Sequence, residues 1–243
     1  MGSQAASQHT QAGGGALPSP EVNAVVERVG MQLASFSERS ELPWSFTVLN
    51  SDQVNAFALP GGKIFVNRGL LAKMTNEAQL AAVLGHEIGH VTAKHINDRL
   101  TQQLIVQGIG AGIAAAGAAT DNDVLKYAGP VVSIGGGLTL LKFSRDDESQ
   151  ADWLGLRYMT KAGYNPVGML QLMEILKQAG GGTAEWLASH PLPVTRINRV
   201  EAEIHKDYPG YADPGQYRFD QVQFERQVLK PLSQLPPVPK ARR

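Results

Sequence analysis

A chain of 243 residues can bury one substantial core but is short for two full domains. Lys and Arg number 22 against 22 Asp and Glu, so no net charge draws the protein to nucleic acid or another strongly anionic partner. Cysteine is absent, which excludes disulfides, thiolate ligands, a cysteine nucleophile and sulfur-linked lipid, and any metal site must use His, Asp or Glu.

Residues 1–20 are rich in Gln, Ala, Ser and Gly and lack a basic flank leading into an apolar stretch. They read as a disordered linker rather than an intact secretory signal, and Ala6 breaks the myristoylation pattern after Gly2. From Glu21 to about Arg39, Val22, Val25, Val26, Val29, Leu33 and Phe36 recur at three- and four-residue spacing and predict an amphipathic helix. Ser45 to Leu49 and Lys63 to Asn67 are β-prone runs on either side of residues 55–62, where Pro60, Gly61 and Gly62 supply a turn. A small antiparallel sheet is expected there.

Thr75, Asn76 and Glu77 offer capping side chains before Leu80, Val83, Leu84 and Ile88, so a long helix should begin near Thr75 and run past His95. Two uncharged stretches follow, Thr101 to Thr120 and Ala128 to Leu141. The purely apolar part of the first, Gly108 to Ala119, is short for a membrane span. A soluble helical hairpin packed through small residues and a membrane-embedded one both remain open. Ser144 caps a further helix through Lys161, which Gly163, Tyr164, Asn165 and Pro166 end, and Pro166 opens another through about Gln178. Ser189, His190 and Pro191 form a loop before a helix that starts near Pro193 and carries Ile197, Val200 and Ile204. Pro231 to Arg243 reads as a loose tail, leaving one domain over 21–230 of α+β class, mainly α-helical.

The chemistry concentrates in His86-Glu87-Ile88-Gly89-His90. Four residues apart on a helix, His86 and His90 share one face, so one cation can bind both imidazoles. Two nitrogen donors and a carboxylate suit Zn2+ and leave its fourth position open to water, as a catalytic site requires. Glu87 lies beside that face, where it can reach the water as general base without ligating the ion. Zincins with a third histidine place a glycine three residues after the second and the next histidine three later, where this chain has Ala93 and Ile96. His95, rotated off the metal face of a continuous helix, reads as a surface histidine. The third ligand is then a later carboxylate, and Glu148 is the strongest candidate. Asp152, four residues on and on the same face, suits a partner that orients a histidine through its free nitrogen.

Taken together, these motifs resemble the HtpX and CAAX-prenyl-protease family of zinc metallopeptidases, gluzincins, and in particular its soluble bacterial periplasmic-type members. The resemblance runs from about Trp44 to Val200, through Asn55 to Gly62, the His86 to His90 segment, Glu148 with Asp152, and Ser189-His190-Pro191 followed by Arg196. It implies a zincin-like domain with one Zn2+ held by His86, His90 and Glu148, with Glu87 as catalytic base and Asp152 as a helper acid. His190 would lie near zinc, stabilising the oxyanion or filling the open position, and Arg196 would contact the substrate carbonyl or hold the site's carboxylates. Asn55, Ala56, Phe57 and Ala58 would form an edge strand that accepts an extended peptide. The expected activity is endopeptidase cleavage of extended or misfolded polypeptides in the bacterial cell envelope, periplasmic or membrane-associated. The alternative is a zinc-containing chaperone of envelope assembly with gated or little proteolysis.

Overall fold

The computed structural model describes residues 14–106, 142–179, 186–213 and 215–238. The two uncharged stretches fall almost wholly outside these residues. Among the described residues no helix is long and apolar enough to cross a membrane.

The first helix, α1 (Pro20–Ala34), opens with Pro at its first turn and the Ser19 hydroxyl accepting from the Val22 amide. Val22, Val25, Val26, Val29 and Leu33 form its buried stripe, as their spacing requires. It ends before the expected Arg39, because the hydroxyls of Ser35 and Ser37 donate to the carbonyls of Gln32 and Ala34 and turn the chain. Residues 17–19 also belong to the fold rather than to a linker: Leu17 is buried and its amide donates to Val48 O.

Strands β1 (Ser45–Leu49), β2 (Ala56–Leu59) and β3 (Lys63–Asn67) form one sheet in the order β1-β3-β2. β2 and β3 make the antiparallel hairpin expected around the Pro-Gly-Gly turn, where Gly61 and Gly62 adopt φ of 84° and 83°. β1, in contrast, pairs parallel to β3, with Ser45 opposite Lys63, so the sheet is mixed and not purely antiparallel. A short helix, α2 (Arg68–Leu71), leaves β3.

The central helix α3 (Glu77–Thr92) starts at Asn76, whose side chain accepts from the Gln79 amide, and is buried from Glu77 through Val91. It stops at Thr92 instead of continuing past His95. Lys94 takes a φ of 63°, the chain bends, and a separate helix α4 (His95–Val106) begins. Helix α5 (Arg145–Lys161) opens with a capping box between Ser144 and Asp147, and Arg99 on α4 donates to Asp147. α5 packs on α3 at backbone distance: a Cβ added to Gly155 would lie 2.9 Å from the His86 amide nitrogen, and one added to Gly89 would lie 2.9 Å from Ala151 O. That approach brings the start of α5 up to the two histidines of α3.

Helices α6 (Val167–Ala179), α7 (Trp186–Ser189) and α8 (Val194–Asp207) follow, with Met169, Leu172, Val200 and Ile204 closing the core. A C-terminal run comprises α9 (Gln221–Phe224), a π-helical turn (Glu225–Leu229) and α10 (Lys230–Gln234). The expected loose tail is therefore helical through Gln234. Leu232 is buried, and Arg68 donates to the carbonyls of Leu232, Leu235 and Pro236, capping the last turn.

Candidate metal centre

Four buried side chains meet where α3, α5 and the loop after α7 converge: His86, His90, Glu148 and His190. One ligand atom from each lies within 4.8 Å of the others. Nε2 of His86 and Nε2 of His90 are 3.0 Å apart, and His90 Nε2 is 3.4 Å from Glu148 Oε1. Nδ1 of His190 is 2.8 Å from Glu148 Oε1 and 3.3 Å from His86 Nε2. Zinc bonds of ~2.0–2.2 Å in a tetrahedron place ligand atoms roughly 3.3–3.6 Å apart, so this donor set fits that ion closely. The three ligands expected from the sequence, His86, His90 and Glu148, are thus brought together, with His190 as the fourth member of the cluster.

A layer of charge backs the cluster. Asp152 Oδ1 sits 3.0 Å from His86 Nδ1, the nitrogen that faces away from the cluster. Arg196 donates Nε to Asp152 Oδ2 at 2.7 Å and Nη2 to Asp152 Oδ1 at 2.7 Å, while its Nη1 donates to Glu148 Oε2 and to Pro191 O. One guanidinium therefore fixes both carboxylates and the His-Pro loop. Burial alone would raise the Asp152 pKa, but the Arg196 charge and hydrogen bonds hold it below the usual carboxylate range. Burial is outweighed at Glu148 too, where the surrounding histidines, His190 foremost with His90 and His86, depress the pKa strongly.

Glu87 is buried beside the cluster, its Oε1 3.8 Å from His190 Nε2 and accepting the indole N–H of Trp186 at 3.2 Å. Trp186 also stacks on the His190 ring, with centroids 4.4 Å apart and planes 13° from parallel, and Phe143 covers the same ring at 4.9 Å. Sequence spacing gave no sign of either aromatic, because nothing periodic links residue 143 or 186 to the motif. Residues 55–58 lie on and just before β2, the strand at the sheet edge beside α3, and Val54 O accepts the Trp186 amide.

His95 departs from its reading as a surface residue. The bend at Lys94 swings it back under the site, where it is 5% exposed with Nδ1 3.1 Å from His90 Nδ1.

Burial lowers the pKa of both His86 and His90 from 6.5 to about 4, against the opposing influence of the carboxylates of Asp152 and Glu148. Both imidazoles are then neutral and fit to bind a cation above that pH. In the unfolded chain they titrate near 6.5, so between pH 6.5 and 4 the unfolded state takes up protons that the folded state does not, and stability falls as pH falls. Glu148 and Asp152, with depressed pKa values, lose their contribution only on further acidification. Metal-free protein is expected to hold a constant Tm from pH 8 to about 7 and to lose on the order of 10 °C by pH 4 in scanning calorimetry. A flat profile over that window would contradict a neutral buried pair.

The model of peptidase family M48 matches residues 20–204. The chain belongs to peptidase family M48. It is 30% identical over 186 residues to the beta-barrel assembly-enhancing protease of Escherichia coli, covering 73% of this chain and 38% of that protein. It is 34% identical over 179 residues to the mitochondrial metalloendopeptidase OMA1 of Schizosaccharomyces pombe, covering 72% of this chain and 51% of the relative. The OMA1 of Arabidopsis thaliana is 34% identical over 164 residues, 65% of this chain and 31% of that one. The chain therefore spans roughly a third to a half of the length of these relatives.

Proposed function

We propose that this chain is a zinc-dependent metalloendopeptidase that cleaves extended or misfolded polypeptides, with residues 21–230 and the flanking residues 17–19 and 231–234 that pack on them as one catalytic domain. The observation that carries the reading is the buried quartet His86, His90, Glu148 and His190, with a fifth group, Glu87, at its edge. Membership of a peptidase family supports it. His86, His90 and Glu148 would hold one Zn2+ per chain, which when bound would supply Lewis acidity toward water and a peptide carbonyl. Glu87 takes the proton from the attacking water and returns it to the leaving amine, its carboxylate aimed by the Trp186 indole. Asp152 holds His86 by Nδ1, and Arg196 locks Asp152 and Glu148 in place. Residues 55–58 accept an extended substrate by backbone pairing, which favours conformation over side-chain identity. Within the family, the motifs resemble the HtpX and CAAX-prenyl-protease branch. A bacterial relative's name speaks of beta-barrel assembly, and we place this chain in the envelope, periplasmic or membrane-associated, beside assembly machinery.

A second reading is favoured by one contact. His190 Nδ1 lies 2.8 Å from Glu148 Oε1 with its ring against Trp186 and Phe143, and there it would take a bound ion's fourth position and block the entry of water and substrate. The protein is then a gated protease, or a chaperone in which the gate rarely opens. Purified protein should contain close to one zinc per chain, and its absence would remove both readings. On casein, His190→Ala should digest several-fold faster than the wild type if His190 is a gate. No digestion by either protein would favour the chaperone, and slower digestion by the variant would make His190 an oxyanion stabiliser instead.

A further inference from the structure

His95 is buried, polar and unused by the chemistry above. Its ring meets that of His90 edge to face, with centroids 5.1 Å apart and planes at 74°. The two Nδ1 atoms are 3.1 Å apart, which is a hydrogen bond only if one carries a proton and the other a lone pair. The far side of His95 decides which. There Nε2 faces two acceptors, Gln150 Oε1 at 3.0 Å and the Asp147 carboxylate at 3.9 Å, so Nε2 carries the hydrogen and Nδ1 is left as acceptor. His90 must then donate through Nδ1–H, and its Nε2 presents a lone pair to His86 Nε2 and Glu148 Oε1, 3.0 and 3.4 Å away.

We propose that His95, backed by Gln150, is a positioning residue that fixes the tautomer and tilt of His90 and so sets the metal affinity of the site. The inference rests on the zinc reading of the quartet. The two ligand histidines are held differently: His86 donates to a carboxylate, Asp152, itself neutralised by Arg196, whereas His90 donates to a neutral imidazole that passes the bond on to an amide. Partners behind ligating histidines act in this way in metal sites generally. Without His95, the Nδ1–H of fully buried His90 loses the acceptor it has among the described residues, and the tautomer with hydrogen on Nε2, whose lone pair faces away from the cluster, competes.

The test is zinc affinity of the whole chain by competition with a chromogenic chelator at fixed pH. His95→Leu should bind zinc on the order of 10–100-fold more weakly than the wild type. His95→Gln, which can accept from His90 with its carbonyl and donate to Gln150 with its amide, should recover most of the loss. A merely structural histidine would instead lower the Tm of the metal-free variant and leave zinc affinity alone. That outcome, or a folded His95→Leu protein with wild-type affinity, overturns the proposal. If His95→Leu does not fold, Gln150→Leu on the exposed side of α5 decides: a smaller loss in the same direction is expected, and unchanged affinity overturns the relay. Wild-type protein that takes up no zinc would instead sink the reading of the quartet itself.

Discussion

Glu87→Gln is expected to keep zinc at wild-type affinity and to hydrolyse casein at about a thousandth of the wild-type rate or less. The amide has the size and shape of the carboxylate and can still accept the Trp186 indole N–H through its carbonyl, so the buried pocket is undisturbed. It cannot take a proton. Glu87 is not one of the four clustered ligand groups, so zinc content should not follow activity. The two readouts separate the roles. A loss of zinc along with activity would make Glu87 a ligand, and full activity with zinc bound would require another base. His190 is the nearest alternative, with Nε2 3.8 Å from Glu87 Oε1. Background hydrolysis is best measured in a Glu87→Gln/His190→Ala double variant, because a closed gate in the single variant would mimic the loss of a base.

The parts of this centre that sequence made legible are those governed by helical periodicity. His86 with His90, and Glu148 with Asp152, are each four residues apart and share a helix face; His86, His90 and Glu148 meet in the cluster, and Asp152 backs His86. What periodicity could not give is where a helix stops. Lys94 in the left-handed region has no glycine or proline to announce it, yet it changes His95 from an exposed residue into a buried one. A trace was present: the apolar positions Ile88 and Val91 resume at Ile96 and Leu100, a five-residue step that a continuous helix does not make. Strand direction was hidden for a related reason, since the alternation in Ser45–Leu49 says which side chains point inward but not that β1 would join β3 parallel. Arg68 capping the C-terminal run is also a long-range contact, between residues more than 160 positions apart, and the proline-rich composition there pointed to a tail.

Arg196→Met should destabilise the metal-free protein by about 3–5 kcal/mol, read as a shift in the urea midpoint without a change in slope. The methionine fills much of the same space, so the cost is electrostatic. Arg196 is 3% exposed and supplies donors to both Asp152 and Glu148, and without it two buried carboxylates lose the cation they share. Arg199, 3.7 Å from Asp152 and partly exposed, can replace little of that. Zinc changes the balance, because Glu148 regains a cation while Asp152 does not. The variant's deficit should therefore shrink, without vanishing, when zinc is bound, and its zinc affinity should fall as Asp152 loses its hold on His86. Adding Asp152→Asn to Arg196→Met removes the stranded charge, so the double variant should be more stable than the sum of the single losses predicts. Simple additivity would mean that Asp152 is not held as an anion by Arg196, and the charge-backed picture of His86 would have to be given up. Arg196→Lys supplies the control: it keeps the charge but not the fork that reaches Asp152 and Glu148 together, so it should restore part of the stability and less of the zinc affinity.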